Sequence, residues 1–414
     1  MILFVFFLLY SIIQLRKKHY VAAFMGFLII FQISLAFLIK QTLELSAVNV
    51  LIEVWHLLIL YILIKPFEYY RIVRIGDADD RKIVTFSKVI GFMNLVCIVI
   101  SSIYVVFVWS VVDNYSMFKG QPDLIMDTVQ SLPISTKFLT ISYFFGSTFF
   151  FSLALHFYYL IKGKTVVSIL FLILSFSFPL RMLIYFSRSN LILLIILYLF
   201  YSCLVFPILT GKAKRTFKLS VTSIFAAIFI VAAIISINRF GEVEKNSSVH
   251  DKEGTLYELA NYASMWYPNM EVMETYDFNP QFGELSDVLF DYWGLSGGKT
   301  NREIREKLWP KHYYLFVPLP TVLAFDFGII PSFLIICLVS LLLYKLRPKN
   351  GVLPFSNFIV LGFMSSLVLM NFAGYLFEDL YAHYALVFAF LIFYYFGKKK
   401  KSFQSIQTNN AYYE

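Results

Sequence analysis

Charged side chains are scarce in this sequence. Asp, Glu, Lys and Arg together make up 15% of the residues, whereas soluble domains contain about 25%. Hydrophobic residues make up 59% of the chain, and they are gathered in long runs that exceed what one water-soluble core can bury. The composition therefore excludes an ordinary soluble domain and predicts a polytopic membrane protein.

Cysteine and the common cofactor motifs are also nearly absent. The three cysteines, Cys97, Cys203 and Cys337, all lie inside apolar runs, which excludes a disulfide framework and a CxxC metal pair. The chain has no P-loop, no GxGxxG and no HExxH, and the first loop predicted to be extracytoplasmic has no Asp-x-Asp pair. These absences argue against a metal-dependent nucleotide-sugar transferase, and we expect neither a metal nor a cofactor.

The apolar runs predict α-helices, because they are continuous and lack the alternation of ten-residue β-barrel strands. The fold class is accordingly an all-α membrane protein with about eleven transmembrane helices. The predicted spans are 1–15, 21–39, 48–64, 89–111, 138–161, 165–186, 190–210, 219–237, 317–344, 355–376 and 380–396.

The positive charges indicate the orientation of these spans. Of the 35 Lys and Arg residues, 22 fall in the connecting segments of one side and in the Lys398–Lys401 tail when the spans alternate. Basic residues favour the cytoplasmic side, so we predict an extracytoplasmic N-terminus and a cytoplasmic C-terminus. The net charge of +9 is thus explained by orientation, and no nucleic-acid partner is expected.

One long polar segment interrupts the hydrophobic chain. We divide the sequence into transmembrane helices 1–237, a large extracytoplasmic loop 238–316, transmembrane helices 317–397 and a basic tail 398–414. The loop contains Trp266, Trp293 and Trp309, so it has apolar mass to fold against itself or the membrane surface.

Three arginines are predicted at the extracytoplasmic face. Arg181 lies within the sixth span, Arg188 in the turn that follows it, and Arg239 where the eighth span ends. An arginine inside a span costs on the order of 2.5 kcal/mol or more, and its fork of donors suits phosphate. The group predicts an anion site, with lipid-headgroup contact as the alternative.

Histidines and carboxylates near the same face are candidate bases. His312 follows Arg302 and Arg305 at the end of the loop; it can act as a base or a phosphate ligand, or belong to a solvated basic collar. Glu378 and Asp379 lie at the outer start of the last span, immediately before residue 380, where a carboxylate can accept a hydroxyl proton or simply favour the start of a helix.

Two accessory candidates have ionisable side chains within the membrane region. Glu53 and His56 share a helical face in the third span, and His383 lies one turn after Asp379. Ionisable residues inside a span indicate function by default. For Glu53 and His56, the alternative is pairing with each other or with an arginine above them.

The arrangement resembles the Wzy-type polymerases of O-antigen and capsular repeat units. The resemblance rests on span six, the Ser187-Arg188-Ser189 turn, span seven, Arg239 at the mouth of the large loop, and the loop exit at 318–334 with Gly328. It covers most of the chain by topology but only about 30 residues by motif, and the earlier outer loop, 182–190, is shorter than is usual in the family.

The resemblance implies a GT-C-like architecture and a metal-independent glycosyltransferase in the cytoplasmic (inner) membrane. Such an enzyme transfers an undecaprenyl-pyrophosphate-linked glycan to the non-reducing end of another lipid-linked unit. Arg181, Arg188 and Arg239 would neutralise the leaving pyrophosphate, and His312, Glu378 or Asp379 would take the acceptor proton. A chain-length regulator and a flippase would be partners. The alternatives are an O-antigen ligase and a lipid-linked oligosaccharide transporter.

Overall fold

The fold is an all-α membrane bundle. The computed structural model describes residues 1–40, 49–111, 129–131, 135–185, 189–219, 221–222, 264, 266–276, 317–370 and 380–397. Its helices are α1 (Ile2–Arg16), α2 (Tyr20–Lys40), α3 (Val50–Ile64), α4 (Asp80–Val111), α5 (Lys137–Gly146), α6 (Phe149–Ile161), α7 (Thr165–Leu174), α8 (Ser177–Met182), α9 (Ser189–Val205), α10 (Leu319–Phe327), α11 (Ile329–Leu346), α12 (Phe355–Leu369) and α13 (Leu380–Gly397).

Short elements connect these helices. In the described ranges, 3₁₀ helices lie at Lys65–Tyr69, Leu183–Tyr185, Phe206–Ile208 and Pro268–Thr275. Strands β1 (Arg74–Ile75) and β2 (Val352–Leu353) form one parallel pair, with Arg74 opposite Val352. The strands join two connecting segments that are far apart in the sequence.

Within the residues listed above, eight segments are long and apolar enough to cross a membrane, which confirms a polytopic all-α membrane protein. They are Tyr20–Leu38, Val50–Tyr69, Asp80–Ser110, Lys137–Ile161, Thr165–Tyr185, Asn190–Ile208, Ile329–Leu346 and Leu380–Gly397. Two shorter apolar helices, α1 and α12, correspond to the first and tenth predicted spans. The eighth predicted span, 219–237, lies mostly outside the described residues.

Three predicted spans are divided by breaks. The fifth consists of α5 and α6, separated at Ser147 and Thr148, and the sixth consists of α7 and α8, separated at Ser175 and Phe176. The ninth is divided at Gly328, which adopts φ 90° and so has a conformation that suits glycine. The predicted spans 138–161 and 165–186 are thus each a single membrane-length segment with a local break, whereas within 317–344 only Ile329–Leu346 has the length and apolar composition of a span.

Helix α4 begins nine residues before the predicted fourth span. Asp79 accepts a hydrogen bond from the backbone N–H of Arg81 at 3.0 Å, and this cap starts the helix within the polar segment. At 1.5 Å per residue the 32 residues of α4 extend about 48 Å. That length exceeds a hydrocarbon core of about 30 Å, so α4 continues beyond the apolar region.

Several basic connecting segments lie together at one end of the bundle, which we call the basic end. The β1–β2 pair joins segment 65–79 to segment 347–354, and Lys162 lies 3.9 Å from Asp77. Lys82 donates to the carbonyl oxygen of Tyr395 near the end of α13, at 2.9 Å. These segments are those that the alternation of spans assigns to a common side.

Tyr201 and Gly362 form a close contact between α9 and α12 in the aromatic core. The hydroxyl of Tyr201 on α9 donates to the carbonyl oxygen of Phe358 at 3.0 Å and accepts from the N–H of Gly362 at 2.9 Å, both on α12. A Cβ at Gly362 would lie 2.7 Å from the tyrosine ring. Glycine is therefore required where α9 and α12 meet.

Candidate functional site

Arg181 is buried at the end of the bundle opposite the basic end. It lies on the short helix α8, and 6% of its surface is exposed. Its guanidinium carbon lies 4.1 Å from the ring centre of Tyr143 on α5 and 5.5 Å from that of Tyr185. The side chain therefore faces the bundle interior and does not extend to the surrounding lipid headgroups.

Most of the hydrogen-bonding capacity of Arg181 is unused by the described residues. Its one hydrogen bond there is from Nη1 to the sulfur of Met182 at 3.7 Å, and thioether sulfur is a weak acceptor. The buried Nε also has no hydrogen-bond partner in the described part of the chain. No carboxylate among the described residues forms an ion pair with Arg181. A cationic fork with free donors is what a bound oxyanion requires.

The free energies involved indicate that the contacts with the tyrosine rings offset only part of the cost of burying Arg181. A charged arginine inside the membrane costs about 2.5–3.5 kcal/mol on insertion scales. A desolvated cation–π contact returns about 2 kcal/mol, and Tyr185 is the more distant ring. Each buried donor without an acceptor costs a further 1–3 kcal/mol, roughly. An anion within reach of Nε and the remaining N–H groups would remove that deficit.

The helix breaks beside Arg181 are connected by a buried polar network. Asn94 on α4 donates to the hydroxyl of Thr148 at 2.7 Å, and its side-chain oxygen accepts from Ser177. The hydroxyls of Ser147 and Thr148 donate to backbone carbonyl oxygens one turn earlier, at 2.6 and 2.7 Å. Side chains thus take over backbone partners where each helix is interrupted.

Glu53 connects the third helix to the N-terminus and to the long polar loop. Its carboxylate accepts from the N-terminal ammonium of Met1, from the backbone N–H of Leu3 at 3.0 Å and from the hydroxyl of Tyr267 at 3.2 Å. Burial and the Glu53 carboxylate raise the pKa of Tyr267, so its hydroxyl stays protonated and donates. Glu53 is thus a structural junction.

His56 forms a second link, between α3 and α10. Its Nδ1 lies 2.8 Å from the carbonyl oxygen of Ile52, which can only accept, so Nδ1 carries a proton. In the neutral ring Nε2 then accepts from the hydroxyl of Thr321 at 2.9 Å. Glu53 and His56 bond neither to each other nor to an arginine among the described residues.

Part of the long loop packs into the bundle at these links. Trp266 and Met270 are fully buried, and the ring of Tyr267 lies 5.7 Å from that of Phe37 on α2. The 3₁₀ helix begins at Pro268, where proline is compatible with the first turn. The described part of the loop thus packs against the helices, whereas the sequence predicted packing against the loop itself or the membrane surface.

The remaining predicted site residues fall into two groups. His383 lies on α13, half-buried and close in sequence to Tyr381 and Tyr384. The others lie outside the described residues: Arg188, Arg239, Arg302, Arg305, His312, Glu378 and Asp379. Sequence reasoning missed Tyr143 and Tyr185, which contact Arg181.

Metal binding and similarity to known proteins add no further site. Within the described parts of the chain, no group of three or more His, Cys, Asp or Glu side chains could hold a metal ion. Comparison of the sequence with models of protein families, with curated proteins and with solved structures finds no match.

Proposed function

We propose that this chain is a polysaccharide polymerase of the cytoplasmic membrane. It would transfer a glycan from one undecaprenyl-pyrophosphate carrier to the non-reducing end of another lipid-linked repeat unit, without a metal or cofactor. The observation that carries the proposal is Arg181, a buried cation with unused donors. Lipid pyrophosphate is an anion that occurs at membrane level and matches a guanidinium fork.

The arrangement of the bundle supports the placement of this site. The proposed architecture has eleven spans, a GT-C-like helical region and a large loop on the extracytoplasmic side. Arg181 lies at the end opposite the basic connecting segments, which the charge rule assigns to the cytoplasm. The pyrophosphate would therefore bind at the face where lipid-linked repeat units are polymerised.

The proposed reaction assigns roles to residues at that face. An acceptor hydroxyl attacks C1 of the donor sugar, the bond from C1 to the pyrophosphate oxygen breaks, and the acceptor proton passes to a base. Arg181, with Arg188 and Arg239, would stabilise the charge on the departing pyrophosphate. His312, Glu378 or Asp379 would accept the proton. Because pyrophosphate is a good leaving group, no metal is needed.

One observation favours a second candidate, a lipid-linked oligosaccharide transporter. Carriers often have interrupted helices around a central binding site. Here the breaks at Ser147–Thr148 and at Ser175 lie in successive spans and share the polar network around Asn94. A transporter would use this region as a pathway, whereas a polymerase would use it only to shape the Arg181 site.

Complementation of a gene-deletion strain tests the proposal. The strain receives the wild-type gene, Arg181→Gln or Arg347→Gln, with protein levels matched by immunoblot, and its surface glycan is separated on a gel. Arg347 is a matched control because it also packs on a tyrosine, Tyr344, at 3.5 Å, but lies at the basic end. We expect a ladder with the wild type and Arg347→Gln, and a single repeat unit with Arg181→Gln.

Other results would support other functions. Polymer that accumulates on the lipid carrier while the surface loses all glycan would indicate a ligase. Lipid-linked repeat units retained on the cytoplasmic side would indicate a transporter. A normal ladder in the deletion strain would refute a role in this glycan altogether.

A further inference from the structure

We infer that Tyr143 is a positioning residue that holds Arg181 for an anionic ligand of the pyrophosphate class. The inference deepens the proposed function, on which the identification of the anion as lipid pyrophosphate rests. Its basis is the stacking of the guanidinium on the Tyr143 ring, 4.1 Å from the ring centre. A guanidinium stacked by its face keeps its edge N–H groups available to a ligand.

The position of Tyr143 is itself well determined. It lies on the last turn of α5, and its backbone carbonyl oxygen accepts from the N–H of Ser147 at the helix break, at 3.2 Å. The ring packs against Phe178 at 5.6 Å and against Tyr381 and Tyr384 at 6.4 Å each. Contacts from α8 and α13 thus fix the surface on which Arg181 rests.

Arg181 has few other restraints. Beyond the Tyr143 and Tyr185 rings, the described residues offer its guanidinium only the sulfur of Met182, at 3.7 Å. Because no carboxylate among the described residues orients it, the fork takes its direction from the rings. Ordering it before the ligand binds lowers the entropic cost of binding. Removing the ring of Tyr143 should therefore weaken anion binding even though Arg181 itself is unchanged.

The residues that precede α13 in the sequence link the Tyr143 ring to the proposed chemistry. Tyr381 and Tyr384 contact Tyr143, and Glu378 and Asp379 immediately precede α13 in the sequence. Tyr143 thus lies between the arginine that binds the leaving group and the helix that follows the candidate bases. A shift of this ring would alter the position of the anion relative to the acceptor.

Fluorination of the ring distinguishes positioning through the cation from packing alone. Fluorine atoms withdraw electron density from the face of a phenyl ring and weaken its attraction for a cation, with little change in shape. Position 143 would receive Phe, then mono-, di- and trifluoro-phenylalanine, and separately Leu. Calorimetry of the purified full-length protein in detergent micelles measures the Kd for inorganic pyrophosphate.

We expect Tyr143→Phe to bind like the wild type and the affinity to fall stepwise with each fluorine. Loss of the ring in Tyr143→Leu should weaken binding roughly 2- to 30-fold, as expected for one cation–π contact. The matched control is the same fluorinated series at Tyr344, which packs on Arg347 at 3.5 Å at the basic end. That series should leave the Kd unchanged.

Two results would overturn the inference: a Kd that is constant along the Tyr143 series, and a wild type that does not bind pyrophosphate. The proposed function fails separately. Graded binding together with a normal glycan ladder in the deletion strain would retain the anion site and refute the polymerase. A ladder that needs the gene, together with a constant Kd, would retain the polymerase and refute the role of Tyr143.

Discussion

Replacing Gly362 with alanine should destabilise the protein, because this glycine lies where α9 and α12 approach most closely. A Cβ at this position would lie 2.7 Å from Cε2 of Tyr201 and 2.8 Å from its hydroxyl oxygen. Contacts under 3.0 Å force a neighbour to move. Tyr201 is fully buried and packs on Phe157 and Phe358, each at 5.3 Å between ring centres, so its ring has no free space to enter.

The expected magnitude follows from three contributions. Overpacking a filled core costs about 1–3 kcal/mol, and displacement of the Tyr201 hydroxyl loses two hydrogen bonds worth about 0.5–1.5 kcal/mol each. Alanine in place of glycine within a helix returns about 0.5–1 kcal/mol. The net loss is then roughly 1–5 kcal/mol, with a middle value of about 3 kcal/mol.

Gly91→Ala is the matched control, since Gly91 also lies within a membrane helix. Its Cβ would approach Leu174 no closer than 3.7 Å, which is an ordinary contact. No clash therefore opposes the higher helix propensity of alanine, and we expect Gly91→Ala to be neutral or to stabilise the protein by up to about 1 kcal/mol.

The assay is the apparent melting temperature of the purified protein in detergent, followed by size-exclusion chromatography of heated samples. Gly362→Ala should melt well below the wild type, and Gly91→Ala at or above it. The double variant Gly362→Ala/Tyr201→Leu should lose less than the two single losses added together, because the second change removes the clashing ring. Equal melting temperatures for the two alanine variants, or strictly additive losses, would refute the packing argument.

Three further predictions concern a buried carboxylate, a glycine in a connecting segment and a histidine. Glu53→Gln keeps the shape of a buried junction but loses its charge, so we expect about 1–2 kcal/mol of destabilisation and faster limited proteolysis within segment 264–276. Gly351→Ala should lower the melting temperature more than Gly163→Ala: both glycines have positive φ, but only at Gly351 would a Cβ meet another side chain, Val73 at 2.7 Å. Burial lowers the pKa of His19, so the folded protein favours the neutral ring. The stabilisation that the neutral ring provides should be lost as the pH falls below about 6.5, where the unfolded chain takes up the proton first. The melting temperature of the wild type should therefore exceed that of His19→Gln by less at pH 5 than at pH 8.

The spans could be predicted from the sequence because burial in lipid requires continuous apolar runs. The breaks could not. Ser147, Thr148 and Ser175 lie in runs that read as uninterrupted helices, and serine and threonine are tolerated inside membrane helices. The break after α5 coincides with a contact to a different helix, the bond from Asn94 to Thr148. Such a contact leaves no periodic pattern in the sequence.

The candidate site could likewise be predicted only in part from the sequence. An arginine within an apolar run is conspicuous, so the sequence identifies Arg181 as a candidate for an anion site, with lipid-headgroup contact as the alternative. Its partner Tyr143 is one of 28 tyrosines and lies 38 positions earlier in the chain, with nothing local to mark it. For Glu53 the sequence offers pairing with His56 or an arginine as the alternative to a functional role, yet its partners include Tyr267, 214 positions away.

The distribution of satisfied and unsatisfied polar groups bears on which region a substrate would use. At the helix breaks the side chains of Asn94, Thr148 and Ser177 already bond to one another, and Ser147 bonds to its own helix. A substrate that entered there would have to replace bonds that exist, at the cost of exposed buried groups. Arg181 differs, because none of the residues that the structure describes bonds to its buried Nε, so an anion there would add bonds without replacing any of theirs. The network around Asn94 is therefore better suited to holding two interrupted helices in place than to conducting a solute. It supports α5 and α8, the two helices on which Tyr143 and Arg181 lie, and through them it favours a fixed anion site over a pathway.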